Sequence, residues 1–193
     1  DLDSVCLWML NSFSVSNALA GARDIRDRIL IQDIPSSRRW LAPILSAIRE
    51  KQVIEIDYLS FQKGEVPARK LCPFYVKLYD NRWYMFAREP ENPKMKVYAL
   101  DRIKALRTLD EEFTFEPTSA DRESIDKCFG HCIYEDIPPR VIRIKATKSA
   151  SYYLDTLPLH KSQRIHEVGE DYVIYEYEFA PTTEFQATLR KWG

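Results

Sequence analysis

The sequence predicts an α+β protein in which N-terminal helices lead into a small five-stranded β-barrel and then into a ferredoxin-like α/β module. Three observations predict it. Apolar residues recur at helical spacing as far as Lys51 and at two-residue spacing from Val53 onward. Five short strand-like runs then crowd into residues 53–109, with little room for a second sheet, which points to a barrel. Beyond Pro138-Pro139 the pattern reads strand, helix, strand, strand, helix, a ferredoxin-like order lacking its last strand.

Taken in order, Asp3 or Ser4 can cap a first helix carrying Leu7, Leu10 and Phe13, which Gly21 breaks. Arg23–Leu30 is a short charged stretch with Ile25, Ile29 and Leu30. Ser36-Ser37 cap a second helix whose stripe is Trp40, Leu41, Ile44, Leu45 and Ile48, ending near Lys51. Val53–Leu59 alternates, with Ile54, Ile56 and Tyr58 on one face and Glu55 and Asp57 on the other. Gln62-Lys63-Gly64 turns the chain into a strand over about Arg69–Leu78, and Asp80-Asn81 suits a tight hairpin into Arg82–Arg88. After the loop Glu89–Pro93, Met95–Asp101 and Ala105–Leu109 complete the five. Thr118 or Ser119 caps a connector helix over Ala120–Phe129, with Gly130 placed to end it. The last module runs Val141–Ala146 (strand), Ala150–Leu157 (helix), Gln163–Val168 and Tyr172–Phe179 (strands about Gly169), and Thr183–Lys191 (helix). The expected domains are therefore 1–52 (N-terminal helical linker), 53–110 (barrel), 111–139 (connector) and 140–193 (C-terminal module).

The 193 residues are 45% hydrophobic and 12% aromatic, enough for a packed core, which excludes wholesale disorder. The longest apolar run, Val5–Leu10, is far short of the roughly 20 residues needed to span a bilayer, and no signal peptide is evident. The net charge of −1 argues against a sequence-blind, uniformly basic nucleic-acid binder, but it hides +4 over residues 53–109 and −7 over residues 110–139. The chain starts at Asp1 and stops at Trp192-Gly193, so both ends read as cut from a longer protein.

Four cysteines at irregular spacing do not make a disulfide framework, and reduced thiols in a cytoplasm are expected. Cys128-Phe-Gly-His131-Cys132 brings three soft zinc ligands close in sequence, yet no fourth is evident; buried thiols and a surface histidine are the preferred reading, with no metal and no cofactor. No Gly-x-Ser-x-Gly elbow, phosphate-cradling glycine loop or His-Glu-x-x-His occurs, so no enzymatic activity is expected.

The barrel carries the chemistry. Alternation sets Arg82, Tyr84, Phe86 and Arg88 on one face of their strand, opposite Trp83, Met85 and Ala87. Arg69, Leu71, Pro73, Tyr75 and Lys77 share a face, as do Lys96, Tyr98, Leu100 and Arg102. If these strands are neighbours, Arg69, Tyr84, Arg88, Tyr98 and Arg102 gather on one surface, with arginine forks for phosphate or carboxylate and rings for a base to stack on. Equally open at this point is a barrel core of tyrosines with arginines paired to Glu55, Asp57 or Asp101.

Arg82-Trp83-Tyr84-Met85, followed by Val97-Tyr98-Ala99-Leu100-Asp101-Arg102-Ile103, resembles the WYL domain, named for a Trp-Tyr-Leu triplet. Ile54–Tyr58 and Arg69-Lys70-Leu71-Cys72-Pro73 resemble its I-x-Y and R-x-L-x-P segments, so the likeness covers about residues 50–109. Phe129-Gly130 and Leu189–Gly193 resemble points of the C-terminal extension that follows such domains. The chain departs from the family at Met85, where Leu is usual, and at Val97-Tyr98-Ala99, where a further Arg is frequent. The resemblance implies an Sm-like five-stranded barrel that senses an effector in a bacterial transcriptional regulator, behind an N-terminal helix-turn-helix that reads double-stranded DNA. It implies an anionic effector, a nucleotide or single-stranded nucleic acid, held by Tyr58, Arg69, Tyr84, Arg88 and Arg102, and a homodimer. A constitutive single-strand-binding module and a ligand-free dimerisation scaffold are the alternatives.

Overall fold

In the computed structural model, which describes residues 38–133 and 136–192, the first element is helix α1 (Arg38–Glu50). The expected helices before residue 31, and the Ser36-Ser37 cap, lie outside the described residues. Ile44 and Ala47 of α1 are fully buried, with Trp40, Leu41 and Ile48 packed beside them. Leu45, expected in this stripe, is 39% exposed. At about 100° per residue it stands to one side, and Ala47 takes its place against the sheet. The Trp40 indole N–H donates to the Ile103 carbonyl at 3.1 Å, tying the helix to the last strand of that sheet. Trp40→Phe, which keeps the ring contact and loses this bond, is expected to cost about 1 kcal/mol in urea unfolding. An unchanged stability would show the bond to contribute nothing.

Five antiparallel strands follow: β1 (Gln52–Ser60), β2 (Gly64–Tyr79), β3 (Arg82–Arg88), β4 (Lys96–Ala99) and β5 (Ile103–Glu112). The hairpin residues Asp80 and Asn81 have φ of 46° and 60°, the left-handed geometry that a tight two-residue turn requires. The sheet order is β4-β3-β2-β1-β5. The long β2 serves both halves, pairing with β1 from Gly64 to Leu71 and with β3 from Cys72 to Tyr79.

The expected closed barrel is not observed. No ladder joins edge strands β4 and β5, because the chain passes from one to the other through a 3-10 turn at Leu100–Arg102. The core gathers Ile54, Ile56, Tyr58, Leu71, Met85, Ala87, Tyr98, Leu100 and Ile103. A bulge between Pro73 and Tyr75 adds one residue to β2. Leu71 faces this core before the bulge and Val76 after it, so the alternation reverses and the expected common face of Arg69 through Lys77 is broken. Cys72 and Phe74 pack instead with Val53 and Phe113 in a second cluster.

Helix α2 (Ser119–Asp126) starts with a capping box in which the Thr118 hydroxyl accepts from the Asp121 N–H and the Asp121 carboxylate accepts from the Thr118 N–H. It stops three residues short of Phe129, because the Lys127 carbonyl accepts from the Ala180 N–H at 2.8 Å and Cys128 bridges to Ala180. Then come β6 (Arg140–Thr147), α3 (Lys148–Thr156), β7 (Arg164–Val168), β8 (Tyr172–Phe179) and α4 (Thr183–Lys191). Their sheet is antiparallel in the order β6-β8-β7, with three strands among the described residues and no fourth ferredoxin-like strand. Its core of Tyr175, Tyr177, Phe179, Leu154 and Phe185 includes Phe129 from the connector. No helix among the described residues is long and apolar enough to cross a membrane.

Candidate functional site

At the open edge of the first sheet, Tyr58, Phe61, Arg69, Tyr98 and Arg102 line a cleft of about 530 Å³. Local structure positions each of them. Arg69 stands opposite Ile56 in the ladder, so it shares the face that carries Tyr58. Between them, Pro67 and Ala68 bulge against Asp57, whose carboxylate accepts the Ala68 N–H at 2.9 Å while Ala68 adopts a φ of 51°. Arg102 comes from the 3-10 turn that leaves the sheet unclosed. The Tyr58 hydroxyl accepts from the Ala99 N–H at 3.1 Å, holding the end of β4 to β1 where no ladder forms.

The rings interlock. Tyr58 and Tyr98 meet edge to face at 5.3 Å, and the Arg102 guanidinium lies 5.1 Å from the Tyr58 ring centre and 4.3 Å from that of Phe61. Arg69 donates to the Tyr98 hydroxyl at 3.3 Å and pairs with Glu89 at 3.3 Å. Burial pushes both phenols above their ordinary value; Arg102 opposes this at Tyr58 and Arg69 opposes it at Tyr98, and both stay neutral hydrogen-bonding groups at physiological pH. Burial also acts to raise the Glu89 carboxyl, but Lys96, Arg69 and Asn92 outweigh it and hold the group below the usual range.

Arg102 differs from its neighbours. Arg69 pairs with Glu89, Arg82 with Asp101, Arg88 with Asp121 and Arg107 with Glu55. Among the described residues, Arg102 has aromatic rings against it and no carboxylate partner. Phe61 beside it is 80% exposed. A delocalised cation next to a bare aromatic face can accept an anion and a stacked planar ring together.

Of the five residues expected at the site, Tyr58, Arg69 and Arg102 line this cleft, whereas Tyr84 and Arg88 do not. Strand β3 is covered on both faces, and the side carrying Tyr84 and Arg88 meets the connector. Tyr84 is buried and stacks on His131 with ring centres 4.0 Å apart. One Arg88 nitrogen donates to both Asp121 oxygens at 2.6 Å. Phe61 lines the cleft without being among the five expected residues, although a large aromatic in a Phe-Gln-Lys-Gly turn, with no strand to bury it, is a detectable signal.

The cysteine motif separates. The Cys128 thiol donates to the carbonyls of Phe129, at 3.5 Å, and Cys132, and burial pushes it up to about 11. Burial likewise pushes Cys72 up to about 11, so neither thiol is a ready nucleophile.

Residues 39–108 match the model of the WYL domain. Protein PafC of Mycobacterium leprae (strain TN) is 25% identical over 132 residues, covering 67% of this chain and 39% of that protein. The chain thus spans about two fifths of that relative's length. Among solved structures, proteasome accessory factor B/C (PafBC) of Arthrobacter aurescens matches at 20% identity and a TM-score of 0.39, covering 77% of this chain and 22% of that one.

Proposed function

Since residues 39–108 carry a WYL domain, we propose that this chain is the effector-sensing region of a bacterial transcriptional regulator, and that its ligand is a nucleotide or single-stranded nucleic acid. The observation that carries the reading is Arg102, held against Tyr58 and the exposed Phe61 with no carboxylate partner among the described residues. Phosphate takes the guanidinium, a base stacks on Phe61, and Arg69 and the Tyr98 hydroxyl supply further polar contacts. Binding differs between two arrangements of the cleft edge, and that difference is the energy available to control a DNA-reading helix-turn-helix domain. The remaining divisions, 1–52, 53–110, 111–139 and 140–193, a homodimer and a cytoplasmic location belong to the same proposal.

The test is fluorescence anisotropy with a labelled short oligothymidine and with mononucleotides, over a range of salt. Arg102→Ala is expected to weaken binding about 10- to 100-fold, equivalent to about 1.5–3 kcal/mol for a charged hydrogen bond. It should also flatten the salt dependence. Unchanged affinity in a folded variant would overturn the site. A ligand-free scaffold is favoured by the pairing of Arg69, Arg82, Arg88 and Arg107, and it predicts no binding by the wild type. A constitutive single-strand module instead predicts binding that leaves promoter affinity of the intact regulator unaltered.

A further inference from the structure

Gly130, His131 and Cys132 pass beside the β2–β3 hairpin, and the first turn of α4 closes over them. The His131 ring is clamped, stacked on Tyr84 at 4.0 Å and 16° and lying 6.1 Å from Tyr79. Its Nδ1 is buried and makes no hydrogen bond, although Glu184 Oε1 stands 3.4 Å away. Gly130 adopts a φ of 86°, and a Cβ there would meet the Glu184 side chain at 3.1 Å, so only glycine lets this carboxylate come so close. One ligand atom each from His131, Cys132 and Glu184 lies within 4.8 Å of the others.

We propose that His131, Cys132 and Glu184 form a metal site for a zinc-class divalent cation, with a fourth position left for water or an incoming ligand. A tetrahedral zinc ion sets its donors about 3.5 Å apart, so side-chain movements of about 1 Å complete the set. Thiolate and carboxylate neutralise the dication, and the soft sulfur with imidazole selects zinc over magnesium or calcium. The orphaned His131 Nδ1 then gains a partner. Cys128, the sequence neighbour first paired with His131 and Cys132, is not a ligand, since its thiol is turned to backbone carbonyls. Glu184 supplies the donor that the sequence spacing lacks. Cys132 also borders the cleft of Tyr58 and Arg102, so the ion ties α4 to the cleft wall. This site stands on its own donors and does not depend on the anionic-ligand reading.

The test uses the whole 193-residue chain, reduced and metal-free, titrated with zinc in competition with a chromogenic chelator and separately with cobalt. Expected are one zinc per chain and a thiolate-to-cobalt charge-transfer band. Outer-shell changes cost about 10- to 100-fold in affinity, so Cys132→Ser and the near-isosteric Glu184→Gln should each cost at least about 100-fold. Cys128→Ser should change neither readout. Failure of the wild type to compete for zinc at micromolar concentration overturns the proposal. So does a charge-transfer band that survives Cys132→Ser, or a Cys128→Ser loss as large as that of Cys132→Ser. If Cys132→Ser proves unfolded by circular dichroism, Glu184→Gln decides: retained zinc affinity overturns the site.

Discussion

Asp121→Ala is expected to lose about 3–5 kcal/mol of unfolding free energy, among the largest effects of any single change outside the apolar cores. Arg88 and Asp121 side chains are only 13% and 15% exposed, and one Arg88 nitrogen meets both carboxylate oxygens at 2.6 Å. Removing the acid leaves a guanidinium enclosed near Phe74 with no counter-charge, and its Nε already has no partner. The same carboxylate closes the capping box of α2, so its bond from the Thr118 N–H is lost as well, while the Thr118 hydroxyl still accepts the residue-121 N–H. Urea unfolding measures the loss, and the double replacement Arg88→Met/Asp121→Leu should recover most of it, because no charge is then stranded. A single variant as stable as the wild type would show the pair to be solvated.

The same pair fixes a pH dependence. Burial alone would raise the Asp121 carboxyl, but hydrogen bonds from the Thr118 hydroxyl and N–H and from Arg88 prevail and hold it below the usual range. A group depressed in the folded state contributes stability that is fully present above its unfolded value of about 3.9 and is lost as pH falls through the folded value. Acid titration of stability should therefore be steeper in the wild type than in Asp121→Asn below about pH 4.

Phe179→Ala is the second large loss, also about 3–5 kcal/mol. Phe179 is fully buried at the end of β8. Its ring lies 5.0 Å from Phe129 of the connector, 4.8 Å from Phe185 of α4 and 5.0 Å from His160. Three segments distant in sequence meet on this one side chain, so truncation leaves a cavity that none can fill alone. For a chain of this size each kcal/mol moves Tm by about 2–4 °C, which scanning calorimetry resolves easily. Phe179→Leu, which keeps much of the volume, should be milder. Equal losses for the two would point away from a cavity.

Much of the fold was legible because local periodicity is backbone geometry. The alternation of Ile54, Ile56 and Tyr58 marked the buried face of β1, and Asp80-Asn81 marked the hairpin. Arg82–Arg88, Tyr172–Phe179 and Thr183–Lys191 begin and end where the pattern places them. The candidate cleft was legible in part: Tyr58, Arg69 and Arg102 line it, while Tyr84 and Arg88 face the connector. Alternation places side chains on a face of a strand but does not say what covers that face. The bulge between Pro73 and Tyr75 compounds this, since a single extra residue exchanges the faces beyond it.

By itself, then, the sequence determined the order of the elements, their turns and the residue types able to bind an anion, all properties of neighbouring residues. Only the tertiary structure decided that the sheet stays open at a 3-10 turn. It also gave Asp121 to Arg88, set the Arg102 guanidinium against the rings of Tyr58 and Phe61 and brought Glu184 to His131 and Cys132. Those pairings join residues far apart along the chain, and they form only when buried surfaces choose their partners by shape and charge.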